Sequence, residues 1–554
     1  MCPTSHESET GSDLYQGLGT GSGARRMVES ESTASPFQRI RSMLRGLSLL
    51  TALVLLTATL SGGSLLLTRP LWMDEIHSWL LVTDDNPMHA LEALRHGADF
   101  NPPSWFLITH GISSALAPEN ERFLRLLSLF WMLSALCGTY VLLSRCFNWL
   151  TCVAAVLLTA CHPLLIHQST EIRFYGFWCS CVIWLCCVFQ WAPDGVARQR
   201  LRWILISLLS FITSTSHYFG ILSLTTITVP LVVRRRQDPA GYSTALISVA
   251  SGATGLCCCL PFIFGQKAAL SRPTWISAPT AADSLYFLQY FFPVWPLLLC
   301  IAVLVVGRAI AEQKQPTTFC RLPARFKDLL PCAALALMPL MIVAVSWLLQ
   351  PAMVARYAIV GVFGMAPIFA ALLDQALRRA QWIALAAATA LFASFVAKYP
   401  EQWVQEQSHQ TQLICQLRRC PPGATVVFED RIAWMPVRHY YPDLLSRCRL
   451  ADFTEAELGD ESALRIVQRD VGRRIQQWYP TYYMQPISQL TERSEFYVVP
   501  YFDQNRPGLK YPAGYGGSRF AQSIYRFQSS KTVFRSEEND VAATEHEAID
   551  GKTF

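Results

Sequence analysis

The feature that most constrains this chain is a series of apolar stretches separated by short loops that carry arginines. A helix needs about 20 apolar residues to cross the ~30 Å hydrocarbon core of a bilayer, and many of these stretches approach that length. Of the 554 residues, 52% are hydrophobic and only 16% are charged, with a mean hydropathy of +0.26. Because this composition is too apolar for a soluble protein of this length, the sequence predicts an α-helical polytopic membrane protein.

Hydropathy predicts about eleven transmembrane helices, by the ~20-residue criterion. The first predicted span lies near residues 47–67. The others lie near residues 123–144, 149–167, 174–192, 203–216, 219–233, 243–264, 285–307, 329–349, 357–377 and 380–397. The segment from Ser104 to Ala117 is apolar but too short to cross. We interpret it as a helix lying in the outer membrane interface.

Basic residues orient the predicted spans. The N-terminal segment ends in Arg39, Arg41 and Arg45, and basic flanks favour the cytoplasmic side. With Ser104 to Ala117 left uncounted, the later basic clusters also fall in cytoplasmic loops, whereas counting it would invert them all. These clusters are Arg145; Arg198, Arg200 and Arg202; Arg234, Arg235 and Arg236; Arg308, Lys314, Arg321, Arg325 and Lys327; and Arg378 and Arg379.

Composition divides the chain into four predicted segments. They are a disordered cytoplasmic tail over residues 1–45, a transmembrane domain over 46–397 with an external loop over 68–122, an extracytoplasmic α/β domain over 398–529, and a disordered tail over 530–554. In the third segment, Thr425 to Phe428 and Phe496 to Val499 are typical of buried strands, and Glu455 to Gln477 has helical periodicity.

The cysteines give no metal-binding pattern, since paired CxxC spacing is missing from the sequence. Most of the 18 cysteines lie inside apolar spans, where they are typical of small apolar residues. Cys415, Cys420 and Cys448 fall in the predicted external domain, where one pair could form a disulfide. Which pair, if any, does so stays open.

Several polar residues fall on the predicted outer face at the ends of spans. Asp74 and Glu75 follow the first span, and Arg125 opens the second. The others on this face are Glu171, Arg173 and Tyr175 after span three, His217 and Tyr218 after span five, and Arg356 and Tyr357 at the start of span ten. Two interpretations stay open: structural ion pairs between the arginines and the carboxylates, or a site for a lipid-linked phosphate, whose oxygens suit the planar arginine fork.

The order of these motifs resembles the GT-C glycosyltransferases of family 39, which include protein O-mannosyltransferases and the lipid A aminoarabinose transferase. The resemblance rests on Leu71 to Glu75 (LWMDE), the NPPSWFLITHG segment from Asn101, RLLSLF from Arg125, ExRxY from Glu171 to Tyr175, His217 with Tyr218, and ARY from Ala355 to Tyr357. It covers about residues 45 to 400. It implies a sugar donor on a polyprenyl phosphate, transfer outside the cytoplasm, and inversion at the anomeric carbon.

The same resemblance implies roles for individual residues. Asp74 matches the family's proposed general base, and Glu75 would orient the acceptor or a divalent metal ion. Arg125 matches an arginine that stabilises charge on the departing lipid phosphate, with Arg173 and Arg356 as further phosphate ligands. Glu171, Tyr175, His217, Tyr218 and Tyr357 would line the site. Many relatives carry a Leu-Asp pair in the turn that holds Glu171 and Arg173 here, so the sugar and the need for a metal stay open.

Two other function classes stay open on the sequence alone. A lipid or solute transporter or flippase also has many spans, although it would place charged residues near the bilayer midplane. A membrane sensor would use the external domain as its binding module. The basic residues form no continuous face, which argues against nucleic acid as a partner. The sequence contains no NxS/T sequon, which favours a bacterial inner membrane and a donor carried on undecaprenyl phosphate. The acceptor, whether protein, lipid or glycan, stays unknown.

Overall fold

The structure is a computed structural model, and it describes the residues in the ranges 44–49, 69–191, 195–270, 276, 278–292, 326–374, 378–453, 463–482, 484–486, 489, 495–500, 515–521 and 524–529. Most of the first predicted span, residues 1–43 of the predicted N-terminal tail and the predicted tail 530–554 lie outside the described residues.

Three short helices form the part of the chain predicted as the external loop. They are α1 (Met73–Val82), α2 (Pro87–Arg95) and α3 (Ser104–Leu116). Helix α3 has 13 residues, which is too few to cross a bilayer. Its bounds agree with the short helix predicted from Ser104 to Ala117.

A longer series of apolar helices follows. Its members are α4 (Glu121–Leu143), α5 (Trp149–Ala160), α6 (Pro163–Gln168), α7 (Tyr175–Phe189), α8 (Val196–Ser216), α9 (Gly220–Val233), α10 (Pro239–Ala268), α11 (Ala281–Phe291), α12 (Leu330–Ala334), α13 (Met338–Leu348), α14 (Val360–Phe363), α15 (Met365–Asp374) and α16 (Arg378–Arg419). Short 3-10 helices at Phe326–Leu329, Leu335–Leu337 and Ala355–Ala358 adjoin α12, α13 and α14.

Within the described ranges, three continuous helical segments are long and apolar enough to cross a membrane: Glu121–Leu143, Pro239–Ala268 and Phe326–Leu348. Shorter apolar helices occupy Trp149–Ala160, Tyr175–Phe189, Gly220–Val233, Val360–Asp374 and Gln381–Ala397. The chain is therefore an integral membrane protein, as the sequence predicts. The total of about eleven crossings stays a prediction.

The structure corrects the prediction of one continuous span near 149–167. Helix α5 ends at Ala160, and α6 begins at Pro163, which has no backbone N–H to extend a helix. The ring of His162 caps α6, since its Nδ1 accepts a hydrogen bond from the backbone N–H of Leu164 at 3.2 Å. The span predicted near 285–307 begins as α11, and its residues from 293 onwards lie outside the described ranges.

Close packing between α4 and α7 brings two candidate segments together. A Cβ atom on Gly176, in the first turn of α7, would lie 2.9 Å from the backbone oxygen of Ser128 in α4, so only glycine permits this approach. Arg125 lies one turn before Ser128, and Arg173 precedes α7. The contact therefore places the start of α4 beside the turn between α6 and α7.

The C-terminal part of the chain forms a six-stranded sheet with the order β3-β2-β1-β4-β6-β5. Its strands are β1 (Val426–Phe428), β2 (Cys448–Asp452), β3 (Met484–Pro486), β4 (Glu495–Val499), β5 (Tyr515–Ala521) and β6 (Ile524–Ser529). Strand β1 pairs in parallel with β2 and β4, whereas β6 pairs antiparallel with β4 and β5. Helices α17 (Arg431–Tyr440) and α18 (Ala463–Trp478) accompany the parallel strands.

Both segments predicted as strands lie in this sheet, as β1 and β4. The described part of the predicted helix from Glu455 is α18, and residues 454–462 lie outside the described ranges. Helix α17 packs against α1 of the external loop segment. The sheet is therefore joined directly to the part of the chain that carries Asp74 and Glu75.

Candidate active site

Glu75 is the centre of a buried ion-pair network. Its carboxylate lies 2.8 Å from Nη1 of Arg125 and 3.4 Å from Nη2 of Arg69, and its exposed fraction is 0%. It also accepts hydrogen bonds from the backbone N–H of Ile172 at 3.0 Å and of Trp72 at 3.3 Å. Both carboxylate oxygens are thus engaged by the protein. This geometry does not support the expectation that Glu75 orients the acceptor or a metal ion.

Arg125 is equally enclosed, with an exposed fraction of 0%. Besides its contact with Glu75, its guanidinium donates to the carbonyl of Thr170 at 2.9 Å and to that of Arg69 at 3.2 Å. These bonds join the start of α4 to the segment before α1 and to the turn before α7. Because the guanidinium is surrounded by protein acceptors, the geometry favours the structural interpretation of Arg125 over phosphate binding.

Asp74, the neighbour of Glu75 in the first turn of α1, has a different environment. Its side chain is 16% exposed and pairs with Arg356, whose side chain is 22% exposed, at 3.3 Å between Oδ2 and Nη2. Arg356 also lies over the ring of Trp72, with 5.7 Å from Cζ to the centroid. The two adjacent acids therefore have different environments, since the side chain of Asp74 reaches solvent and that of Glu75 does not.

Arg173 connects α1 to a carboxylate that the sequence analysis missed. Its Nη1 donates to the backbone oxygen of Asp74 at 3.1 Å, to Oγ of Ser78 at 2.9 Å and to the carboxylate of Asp99 at 2.6 Å. Burial opposes the charge of Arg173, but Asp99 and Asp74 raise its pKa above the ordinary value. Asp99 lies two positions before Asn101, where the NPPSW segment begins. Its place beside that segment is the sequence feature that could have identified it as a candidate.

Glu171 is fully buried and pairs with His167, four positions earlier in the chain, at 2.8 Å. Burial raises the pKa of Glu171, but the hydrogen bond and charge of His167, together with Arg69 and Arg356, hold it below the ordinary value. The carboxylate also lies within electrostatic reach of Arg356.

His217 is enclosed by aromatic rings. It stacks on Phe174 and Trp178, with centroid distances of 4.8 and 4.6 Å, and lies 5.3 Å from Tyr357. Burial lowers its pKa to about 3, and Arg173 and Arg356 act in the same direction. Its Nδ1 accepts a hydrogen bond from the backbone N–H of Phe219 at 3.2 Å. The ring is thus neutral and packed between side chains.

Of the three tyrosines predicted to line the site, Tyr175 and Tyr218 lie in different places. Tyr175 lies within electrostatic reach of Arg356, Arg173 and Asp74, so it belongs to the cluster. Tyr218 instead donates from its hydroxyl to Gln266 at 2.8 Å. Gln266 donates in turn to the carbonyls of Leu94 and Asn101. Tyr218 therefore takes part in the joint between α10 and the loop segment.

Helix α17, which follows strand β1 of the C-terminal sheet, packs against this cluster. Its first residue, Arg431, is buried and lies within electrostatic reach of Asp74, Asp430 and Asp99. Burial lowers the pKa of Arg431 to about 10, although these three carboxylates act in the opposite direction. His77 of α1 lies 3.1 Å from Sδ of Met435 in α17. Burial, Arg431 and Arg173 lower the pKa of His77 well below its ordinary value.

The end of α17 is fixed to α4 and to the segment before α1. His439 and Tyr440 contact the carboxylate of Glu121 at 2.8 and 2.7 Å. The Tyr440 hydroxyl also accepts a hydrogen bond from the backbone N–H of Leu71 at 2.8 Å. Neither α17 nor these contacts were expected from the sequence, because they join residues more than 300 positions apart.

No group of three or more His, Cys, Asp or Glu side chains arranged to hold a metal ion occurs among the described residues. The contacts above show why for two of the acids. Glu75 is engaged by Arg125 and Arg69, and Asp99 by Arg173. The described part of the site is thus dominated by carboxylate–guanidinium pairs.

No protein-family model and no curated protein matches the sequence. Solved structures of another protein share its fold. One is ArnT from Cupriavidus metallidurans bound to undecaprenyl phosphate, with a TM-score of 0.50, 12% identity, and coverage of 87% of this chain and 98% of that chain. The chain has the GT-C fold. The apo structure of the same ArnT gives the same TM-score and identity, with 97% of that chain covered. Membership of family 39 stays a prediction.

Proposed function

We propose that this protein is a membrane glycosyltransferase that moves a sugar from a polyprenyl-phosphate donor to an extracytoplasmic acceptor, with inversion. The observation that carries the proposal is the Asp74–Arg356 pair. Among the acids of the cluster, Asp74 is partly exposed, and it faces an arginine that is partly exposed as well. The fold adds support, because an ArnT structure with this fold is bound to undecaprenyl phosphate.

In the proposed reaction Asp74 is the general base. As an oxygen of the acceptor attacks C1 of the sugar, its O–H proton passes to the Asp74 carboxylate. The bond between C1 and the phosphate oxygen breaks, and its electron pair leaves with the polyprenyl phosphate. Attack opposite to the leaving group inverts the anomeric centre. General base catalysis of this kind contributes about 10²- to 10⁴-fold in rate.

Arg356 is the proposed phosphate ligand. Its side chain is 22% exposed, and an arginine fork suits phosphate oxygens. When the donor binds, the phosphate takes over the guanidinium, which frees the Asp74 carboxylate to accept a proton. The positive charge then stabilises the charge that develops on the leaving phosphate. Three residues within electrostatic reach of Arg356 are proposed to line the donor site: Tyr175, Tyr357 and Glu171.

The remaining arginines are proposed to position the base. The Arg125–Glu75 pair holds α1 against α4, and Arg173 binds the backbone oxygen of Asp74 while pairing with Asp99. We thus propose Glu75, Arg125 and Arg173 as positioning residues, which revises the sequence-based roles of all three. His217 is proposed as a packing residue behind Tyr357.

We propose further that the protein lies in a bacterial inner membrane, with its N-terminus in the cytoplasm and the C-terminal sheet outside. The charge distribution supports this orientation. Single cysteines at exposed positions, labelled with a membrane-impermeant maleimide in intact spheroplasts, test it. Labelling of the C-terminal sheet only after the membrane is broken would contradict the orientation.

The experiment for the activity uses purified full-length protein in detergent and a panel of radiolabelled undecaprenyl-phosphate sugars. A bacterial envelope extract serves as the acceptor source. The expected result is release of undecaprenyl phosphate and labelled acceptor by the wild type, with a loss of about 10²-fold or more in Asp74→Asn. Asp85→Asn is the matched control, because Asp85 is exposed near the end of the same helix. Equal turnover by wild type and Asp74→Asn would contradict the proposed base.

A further inference from the structure

The C-terminal sheet presents its strand ends at a topological switch point. Strand β1 lies between β2 and β4 and is parallel to both, and the chain moves from β1 to β2 and β3 on one side before β4 joins the other. In α/β sheets the crevice outside the carboxyl ends of two such strands is where functional groups meet a ligand. Here Glu429, Asp430 and Arg431 directly follow the carboxyl end of β1.

Arg431 is an unusual residue at that position. Its exposed fraction is only 6%, and its Nε donates to Sδ of Met73, the first residue of α1, at 3.3 Å. Its Nη1 is buried and has no hydrogen-bond partner in the part of the chain that the structure describes. A buried guanidinium that is not fully paired is costly. Arg431 therefore carries a buried charge that its own contacts only partly compensate.

The surroundings of Arg431 belong to the proposed active site. Arg431 contacts Met73, the chain neighbour of Asp74, and lies within electrostatic reach of Asp74 and Asp99, which belong to the external loop segment. Charges interact strongly in a buried region, since the effective dielectric constant there is low. The last turn of α17 is held by Tyr440 and His439 on Glu121, which fixes the helix that begins with Arg431.

We propose that Arg431 is a positioning residue through which the C-terminal domain completes the active site. Its guanidinium stabilises the arrangement of the Asp74 and Asp99 carboxylates in which Asp74 receives the acceptor proton. This inference rests on the proposed function and extends it, because it makes the C-terminal domain a part of the catalytic unit. Asp74 then lies within electrostatic reach of three arginines from separate segments of the chain: Arg173, Arg356 and Arg431.

The first test compares Arg431→Met and Arg431→Lys in full-length protein, using the undecaprenyl-phosphate sugar that the wild type turns over. The expected result is a fall in kcat of about tenfold to a hundredfold in Arg431→Met, with the KM for the donor changed by less than about twofold. Arg431→Lys keeps the charge and should recover most of kcat. Arg438→Met is the matched control on the same helix, since Arg438 contacts the carbonyl of Thr481 and the ring of Tyr482, away from Asp74.

Unchanged kcat in Arg431→Met would overturn the inference. Equal losses in the Met and Lys variants, accompanied by equal falls in Tm, would also overturn it, because they indicate a packing role only. If the wild type turns over no donor of the panel, the proposed function fails.

A second measurement decides the inference without activity. The Tm values of Arg431→Met, Asp74→Asn and the double variant form a cycle. If the two charges are coupled, the fall in Tm of the double variant is smaller than the sum of the falls in the two single variants. Losses that add would show that Arg431 does not act on Asp74.

Discussion

Glu75 and Arg125 form an ion pair in which neither side chain reaches solvent, with 2.8 Å between the carboxylate and the guanidinium. Each partner also binds backbone groups of other segments, at Ile172 for Glu75 and at Thr170 for Arg125. The pair therefore joins α1, α4 and the turn before α7. The Glu75–Arg125 pair also fixes the position of Asp74, because Asp74 adjoins Glu75 in the same helical turn.

Removal of one partner of this pair is expected to destabilise the protein strongly. Glu75→Gln leaves the Arg125 charge buried and unpaired, with a cost of about 3 to 5 kcal/mol. The measurement is thermal unfolding in detergent, with the yield of folded protein recorded. Glu92→Gln is the control, since its side chain is 44% exposed. A Glu75→Gln variant as stable as the control would show that the pair does not hold the site together.

Arg356 variants are expected to affect donor use rather than stability. Arg356→Gln removes the proposed phosphate ligand, and kcat/KM should fall about 10²- to 10³-fold, as for loss of a donor to a developing oxyanion. Arg356→Lys keeps the charge but loses the planar fork, so we expect an intermediate value. Steady-state kinetics with the active donor measure both, and Arg95→Gln is the control on an exposed arginine. Normal kcat/KM in Arg356→Gln would place the phosphate elsewhere.

Tyr440→Phe is expected to loosen the C-terminal sheet from the external loop segment. The hydroxyl accepts a hydrogen bond from Leu71 and donates one to Glu121, and its loss should cost about 1 to 3 kcal/mol. Limited proteolysis, with the Tm recorded in parallel, measures the effect. Tyr441→Phe, at the neighbouring position, is the control. The role assigned to this contact would be wrong if both variants were cleaved at the same rate.

His217 is expected to make stability depend on pH. Its pKa in the folded protein is about 3, below the ordinary value of 6.5. Below about pH 6.5 the imidazole binds a proton in the unfolded chain but not in the folded protein. The free energy of unfolding therefore falls as the pH drops below about 6.5. At pH 5 the loss is about 2 kcal/mol. The Tm of wild type minus that of His217→Phe, measured from pH 8 to pH 5, should decrease. A constant difference would show that His217 does not titrate this way.

Local sequence patterns were enough to predict the class of protein and many elements. The apolar stretch near 123–144 is helix α4, and Ser104 to Ala117 is the short helix α3. The hydropathy and length of a segment depend on neighbouring residues only, so they can be determined from one sequence. The pattern failed at Pro163, where loss of one backbone N–H divides the predicted span into α5 and α6.

The sequence by itself thus determined a polytopic membrane protein with an acid pair beside its first span, since composition and periodicity decide such features locally. Only the tertiary structure decided that Glu75 is enclosed by Arg125, that Asp74 faces Arg356, and that Asp99 pairs with Arg173. It also brought Arg431 to Met73 across 358 positions. The physical reason is that burial and charge pairing depend on which segments meet, and each of these acids and arginines has several possible partners until the chain is folded.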